Sequence, residues 1–176
     1  MRNLFLDNAA LPFSPIAELA PQIETGNVSP SDILDACVHK IEKYDPALNA
    51  YITKTFELAR ENLGVLEKEL ECGIRRGPLH GIPIALKDLI DLEGFPSTAG
   101  SFILKDHISS QTAHCARRLM DAGAIILGKT NLQEFARGGT GANSFFGPTK
   151  NPWDLERSPG GSSSGSGASV AAGMSV

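Results

Sequence analysis

The chain has 176 residues, 41% of them hydrophobic and 20% charged, with a formal net charge of -4. That balance suits one globular unit large enough to bury a core and excludes the disordered and fibrous classes. A net negative charge without clustered Lys and Arg gives no bulk attraction to nucleic acid or to an anionic membrane, so a small molecule is the expected partner.

From Met1 to Ala10 one Arg is followed by Asp7 and Asn8, which interrupt any hydrophobic region, and no signal peptide is read there. No apolar run approaches the roughly 20 residues that span a bilayer. Ser29-Pro30-Ser31-Asp32 reads as a helix start: Ser29 caps free N–H groups, Pro30 fits the first turn and Asp32 faces the positive end of the helix. Ile33, Leu34, Cys37, Val38, Ile41 and Tyr44 then recur at three- and four-residue intervals, and Pro46 is expected to limit the helix. Phe56 to Glu71 repeats the pattern through Leu63, Leu66 and Leu70 and stops near Gly73. These two helices form an expected N-terminal layer over residues 1–75.

Ile82-Pro83-Ile84-Ala85-Leu86 reads as a buried strand with Pro83 near its start or at an edge, and Lys87 follows it directly. Gly94 to Ser101 reads as loop, Thr112 to Ala122 as helix stopped by Gly123, and Ala124 to Leu127 as a second buried strand. Asn131 to Ala136 is expected to be a short helix, Gly138 to Gly141 a tight loop, and Ala168 to Met174 the entry of a last helix. Strand and helix alternate as in an α/β sheet.

Cys37, Cys72 and Cys115 are odd in number and lack CxxC spacing, so neither a disulfide framework nor a thiolate zinc site is expected, and a reducing cytoplasm fits. His39, His80, His107 and His114 show no metal-ligand spacing, and no metal is expected. Gly123 to Thr130 satisfies the letter of a phosphate-binding loop. Its inner residues are themselves the apolar strand, however, and a strand spends its N–H groups on its neighbours. Phosphate binding is therefore rejected, and Lys129 is read as solvated or locally paired. A lysine at the end of a buried strand has two readings: Lys87 either snorkels, its stem covering apolar surface, or has its pKa lowered by desolvation so that neutral amine can accept a proton. Asp88 points to the opposite side if the strand continues.

The densest feature is Gly160-Gly161-Ser162-Ser163-Ser164-Gly165-Ser166-Gly167. Its aromatic and proline-bearing approach, Phe145 to Trp153, and its small apolar exit argue against a flexible linker. Three runs, Gly81 to Asp88, Gly128 to Phe135, and Asn151 through Ser169, resemble the amidase signature family of amide-cleaving enzymes. The resemblance covers most of the chain.

The resemblance implies a mixed sheet flanked by helices, with about residues 76–176 carrying Lys87 and the Ser/Gly loop. It also implies a hydrolase acting on carboxylic amide C–N bonds through a lysine, a serine entered by a cis peptide bond and a second, nucleophilic serine. The first two map to Lys87 and Ser162. Gly138 and Gly139 map to a segment lining the acyl pocket, Ser163 is expected to support the loop, and no cofactor is implied. The family's nucleophilic serine would fall about ten residues past Val176. The expectation is thus a truncated N-terminal portion of one amidase domain, inactive alone, with the oligomeric state left open. Two alternatives stand beside it: the amidase subunit of a tRNA-dependent amidotransferase, and a non-catalytic interaction protein.

Overall fold

A computed structural model describes residues 10–176. The stretch read for a signal peptide lies, up to residue 9, outside the described residues. After a short 3-10 turn, α1 (Ile16–Glu24) leads into α2 (Pro30–Leu48), β1 (Tyr51–Lys54) and α3 (Phe56–Glu71). Then come β2 (Pro83–Lys87), α4 (His114–Asp121), β3 (Ile125–Thr130) and α5 (Ser164–Ala171). None of the described helices is long and apolar enough to cross a membrane.

Helix α2 starts as its sequence dictates. The Ser29 hydroxyl accepts a hydrogen bond from the Asp32 N–H at 3.1 Å, and the Asp32 carboxylate accepts from the Ser29 N–H at 3.4 Å. Its end differs from expectation, because Pro46 lies inside the helix, which runs on to Leu48. Proline in the last turn removes a single intrahelical donor, and the chain closes around it. Asn49 adopts a left-handed conformation with its N–H on Asp45 O at 2.8 Å. The Asp45 carboxylate then accepts from the N–H groups of Ala50 and Tyr51 at 2.8 and 3.0 Å and pairs with Lys54 Nζ at 3.1 Å. One buried carboxylate thereby turns a helix into β1, a strand with no periodic signal of its own.

The sheet order is β1-β3-β2, with β1 antiparallel and β2 parallel to the central β3. Pro83 begins an edge strand, where its missing N–H costs no ladder bond. All of β3 is buried, which explains its unbroken apolar run. Ile125 and Leu127 pack with α2, α3 and α5 through Leu34, Ile41, Leu63 and Ala168. Ile126 packs on the opposite face with Leu86, Leu92 and Ala116 of α4. Helices therefore cover both sides of a mixed sheet, as expected.

Other element limits also differ from the sequence reading: β2 takes in Lys87 as its last residue, and α4 is shorter at both ends. Strand β3 extends to Thr130 and so absorbs Gly128 and Lys129. The helix expected over Asn131 to Ala136 is a single 3-10 turn, Glu134–Ala136, with Phe135 at φ 50°; Asn131 spends its backbone on Ala50 O and Gly165 N instead of on a helix. The last helix starts at Ser164, ahead of Ala168, and ends before Met174. It can start that early because Gly165 slots against backbone: a Cβ there would lie 2.3 Å from Ala50 O and 2.5 Å from Asn131 N.

Candidate active site

Lys87 is the last residue of β2 and stands level with Thr130 of β3. Ser162 is two residues ahead of α5, which packs on both strands. Lys87 Nζ lies 2.7 Å from Ser162 Oγ, a contact between residues 75 positions apart. Burial holds the Lys87 ammonium below the usual lysine range. Among the described residues no carboxylate pairs with it, so nothing restores the charged form. The pair has the chemistry of a proton acceptor facing a hydroxyl.

The loop that presents Ser162 is held by its neighbours. The Gly161–Ser162 peptide bond is cis. Ser162 O accepts from the Gln133 N–H at 3.0 Å, and Gln133 Oε1 accepts from the N–H groups of Thr140 and Gly141 at 3.0 and 3.3 Å. Gln133 thus ties the serine loop to the Gly138–Gly141 loop. The two touch through backbone: a Cβ on Gly161 would lie 2.7 Å from Gly141 N and 3.3 Å from Gly139 C, and one on Gly138 would strike the Gln133 amide. The Ser163 side chain is exposed and makes no hydrogen bond among those described, whereas its carbonyl accepts from Gly167 N–H at 3.1 Å. The hydroxyls that fasten the loop belong to Ser158, which donates to Thr140 O and accepts from Gly160 N–H, and to Ser164, which accepts from Thr149 at 3.2 Å.

Of the two sequence readings of Lys129, solvated or locally paired, the structure selects the second. Lys129 is fully buried, with Nζ 3.1 Å from an equally buried Asp88 Oδ1. Its locally paired partner is the residue that follows Lys87. The glycines around it hold no phosphate cradle, because they lie in or beside β3, whose amides are paired in the sheet.

Several supporting residues are not evident from motif reading. Buried Asn131 donates from Nδ2 to Asn49 O and Gly147 O at 3.1 and 3.0 Å and accepts Leu132 N–H on Oδ1, joining the N-terminal helices to the loop below Ser162. Thr130 and Ser166 hydroxyls meet at 2.8 Å across β3 and α5. Asn131 and Gln133 both lie in the Gly128 to Phe135 run that carries the resemblance, which is the one signal that points to them.

The amidase family model matches residues 32–176. The chain belongs to the amidase family. A glutamyl-tRNA(Gln) amidotransferase subunit from Halorhodospira halophila is 42% identical over 157 residues, 89% of this chain and 32% of that protein. The corresponding subunit from Acidothermus cellulolyticus is 45% identical over 88% of this chain and 31% of its own length. Among solved structures, native peptide amidase from Stenotrophomonas maltophilia aligns with a TM-score of 0.86 and 36% identity, over 94% of this chain and 36% of that one. The chain therefore spans about a third of the length of the curated relatives it matches, and its α/β architecture is that of amidase-family enzymes.

Proposed function

We propose that residues 1–176 are the N-terminal part of one amidase domain and supply the proton acceptor, Lys87, and the proton relay, Ser162, of a site that cleaves small carboxylic amides. The observation that carries this reading is the 2.7 Å contact between a desolvated, unpaired lysine and the hydroxyl of the Ser/Gly loop. Neutral Lys87 takes the Ser162 proton as Ser162 takes one from the attacking hydroxyl, whose oxygen bonds to the amide carbon. The relay then runs in reverse and delivers a proton to the nitrogen as the C–N bond breaks. Water releases the acyl group by the same route.

The attacking hydroxyl in this reading is the family's second serine, expected past Val176. The serines near the end of this chain are otherwise engaged: Ser166 Oγ with Thr130, and Ser169 Oγ with Tyr51 and Ser175 at 2.8 and 2.9 Å. Gly138 and Gly139 would form one wall of the acyl pocket beside Ser162. Two exposed free thiols, Cys72 and Cys115, support a reducing compartment such as the cytoplasm.

The 176-residue chain is expected to turn over no simple amide above the level of its Lys87→Ala variant. Joined to the remaining two thirds of peptide amidase in place of that enzyme's own segment, it is expected to release amine from a carboxamide, with Lys87→Ala or Ser162→Ala slowing kcat about 10²- to 10⁴-fold. An active chimera indifferent to both substitutions would sink the assignment. A second reading, an amidotransferase component, is favoured by the higher identity to those relatives, 42% and 45% against 36%. Glutamine-dependent ammonia transfer and copurifying partner chains would select it over a free-standing amidase.

A further inference from the structure

The proposed reaction uses Lys87 and leaves unused a second lysine buried on the other face of the sheet. Lys129 and Asp88 are both 0% exposed. A buried ion pair is a poor device for stability, because apolar residues of the same volume generally match or exceed it. Its place in the fold suggests another task.

Asp88 is held through its backbone and its Oδ2 immediately after Lys87, while Oδ1 faces Lys129 Nζ at 3.1 Å as an ion pair without a hydrogen bond. Its N–H donates to Thr130 O at 3.1 Å, and its carbonyl accepts from Ala99 N–H at 2.9 Å. Its Oδ2 accepts from the Thr98 N–H at 3.0 Å and from the Thr98 hydroxyl. Lys129 Nζ donates to Pro96 O at 2.8 Å and Ser97 Oγ at 2.9 Å. Ser97 in turn donates its O–H to Ser109 Oγ, which donates to Asp91 Oδ1, both at 2.9 Å. The ends of β2 and β3 are thereby fastened to a single loop, Pro96 to Ala99.

The register explains how Lys129 comes to face Asp88. Ile84 stands opposite Ile126 but Leu86 opposite Lys129, so β3 carries one extra residue between them. Such a bulge reverses the alternation of side chains. Lys129 is turned to the face of Leu86 and Asp88, while Lys87 projects to the opposite face, where α5 and Ser162 lie.

We propose that the Asp88–Lys129 pair is a positioning device that fixes the end of β2 and so holds Lys87 Nζ against Ser162 Oγ. It rests on the reading of Lys87 as proton acceptor. A purely structural pair would affect folding and leave the environment of Lys87 unchanged.

The test is an NMR titration of the 176-residue chain labelled at lysine Cε, with the Lys87 signal assigned by its loss in Lys87→Arg. In the unmodified chain Lys87 titrates below the exposed lysines. In the volume-conserving double variant Asp88→Asn/Lys129→Met, which leaves no lone buried charge, the Lys87 midpoint rises by about 1 pH unit, a tenfold loss of neutral amine. Near-ultraviolet dichroism reports that the variant is folded. Ser97→Ala keeps both charges and removes one hydrogen bond from Lys129, and it is expected to give a smaller rise of the same sign. Should the double variant fail to fold, Ser97→Ala decides the matter alone. A Lys87 that titrates low and stays unmoved in the folded variants overturns the positioning role only. A Lys87 that titrates with the exposed lysines in the unmodified chain overturns the reading of Lys87 itself, and the positioning role with it.

Discussion

Two lysines stand at the ends of adjacent strands on opposite faces of one sheet, and they face different partners. Lys129 is enclosed with a carboxylate, a carbonyl and a serine hydroxyl. Lys87 is partly buried with one hydroxyl and, among the described residues, no carboxylate partner. Burial lowers the pKa of both, but at Lys129 the Asp88 charge opposes it. The partner decides what opposes desolvation: a facing carboxylate favours the charged form of Lys129, whereas the partner of Lys87 is a hydroxyl.

The sharpest way to break this contrast is to remove one member of the paired site. Lys129→Met leaves Asp88 buried and uncompensated, and urea denaturation should show a loss of about 3–5 kcal/mol. A loss below about 1 kcal/mol would mean the pair is far better solvated than its burial indicates.

A smaller effect separates the sites geometrically. Gly165→Ala drives a methyl into Ala50 O and the Asn131 backbone, so α5 must move off β3, carrying Ser162 from Lys87 and leaving the Asp88–Lys129 pair intact. The expected cost is about 1–3 kcal/mol, accompanied by a rise in the Lys87 titration midpoint. Two residues along the same helix, Gly167 faces open space, and Gly167→Ala should stabilise by about 0.5–1 kcal/mol through helix propensity. Equal costs at the two positions would refute the close packing of α5.

The smallest effect is a slope. Because the folded state holds the Lys87 pKa below its unfolded value of about 10.4, the unfolded chain binds more protons between the two pKa values and stability rises with pH across that window. The penalty is present in full below the folded pKa and is gone above the unfolded one. Lys87→Met should flatten the rise, as read from urea midpoints at intervals up to about pH 10. An unchanged slope would show that Lys87 is solvated.

Much of the fold is legible in the chain. The Ser29 cap, the 56–71 helix, the edge position of Pro83 and the central apolar strand follow from local capping rules, periodicity and composition. β1 is not legible, because four residues without alternation form a strand only when Asp45 redirects the chain and β3 offers a partner. Of the candidate site, Lys87 and Ser162 are legible from a strand end and from the resemblance of the Ser/Gly loop. Asn131 and Gln133 do not stand out as supports, since their roles rest on backbone groups distant in sequence.

By itself, then, the sequence determined the main helices, the two apolar strands, and, through its resemblance, the placing of Lys87 and Ser162 in an amidase-family chain. Only the tertiary structure decided what surrounds each lysine. One extra residue in β3 beside Gly128, where a side chain would strike Thr53 O at 2.3 Å, turns Lys129 toward Asp88 and away from Ser162. A bulge is set by the register between strands, and register is a property of two segments at once, which no local pattern in either one encodes.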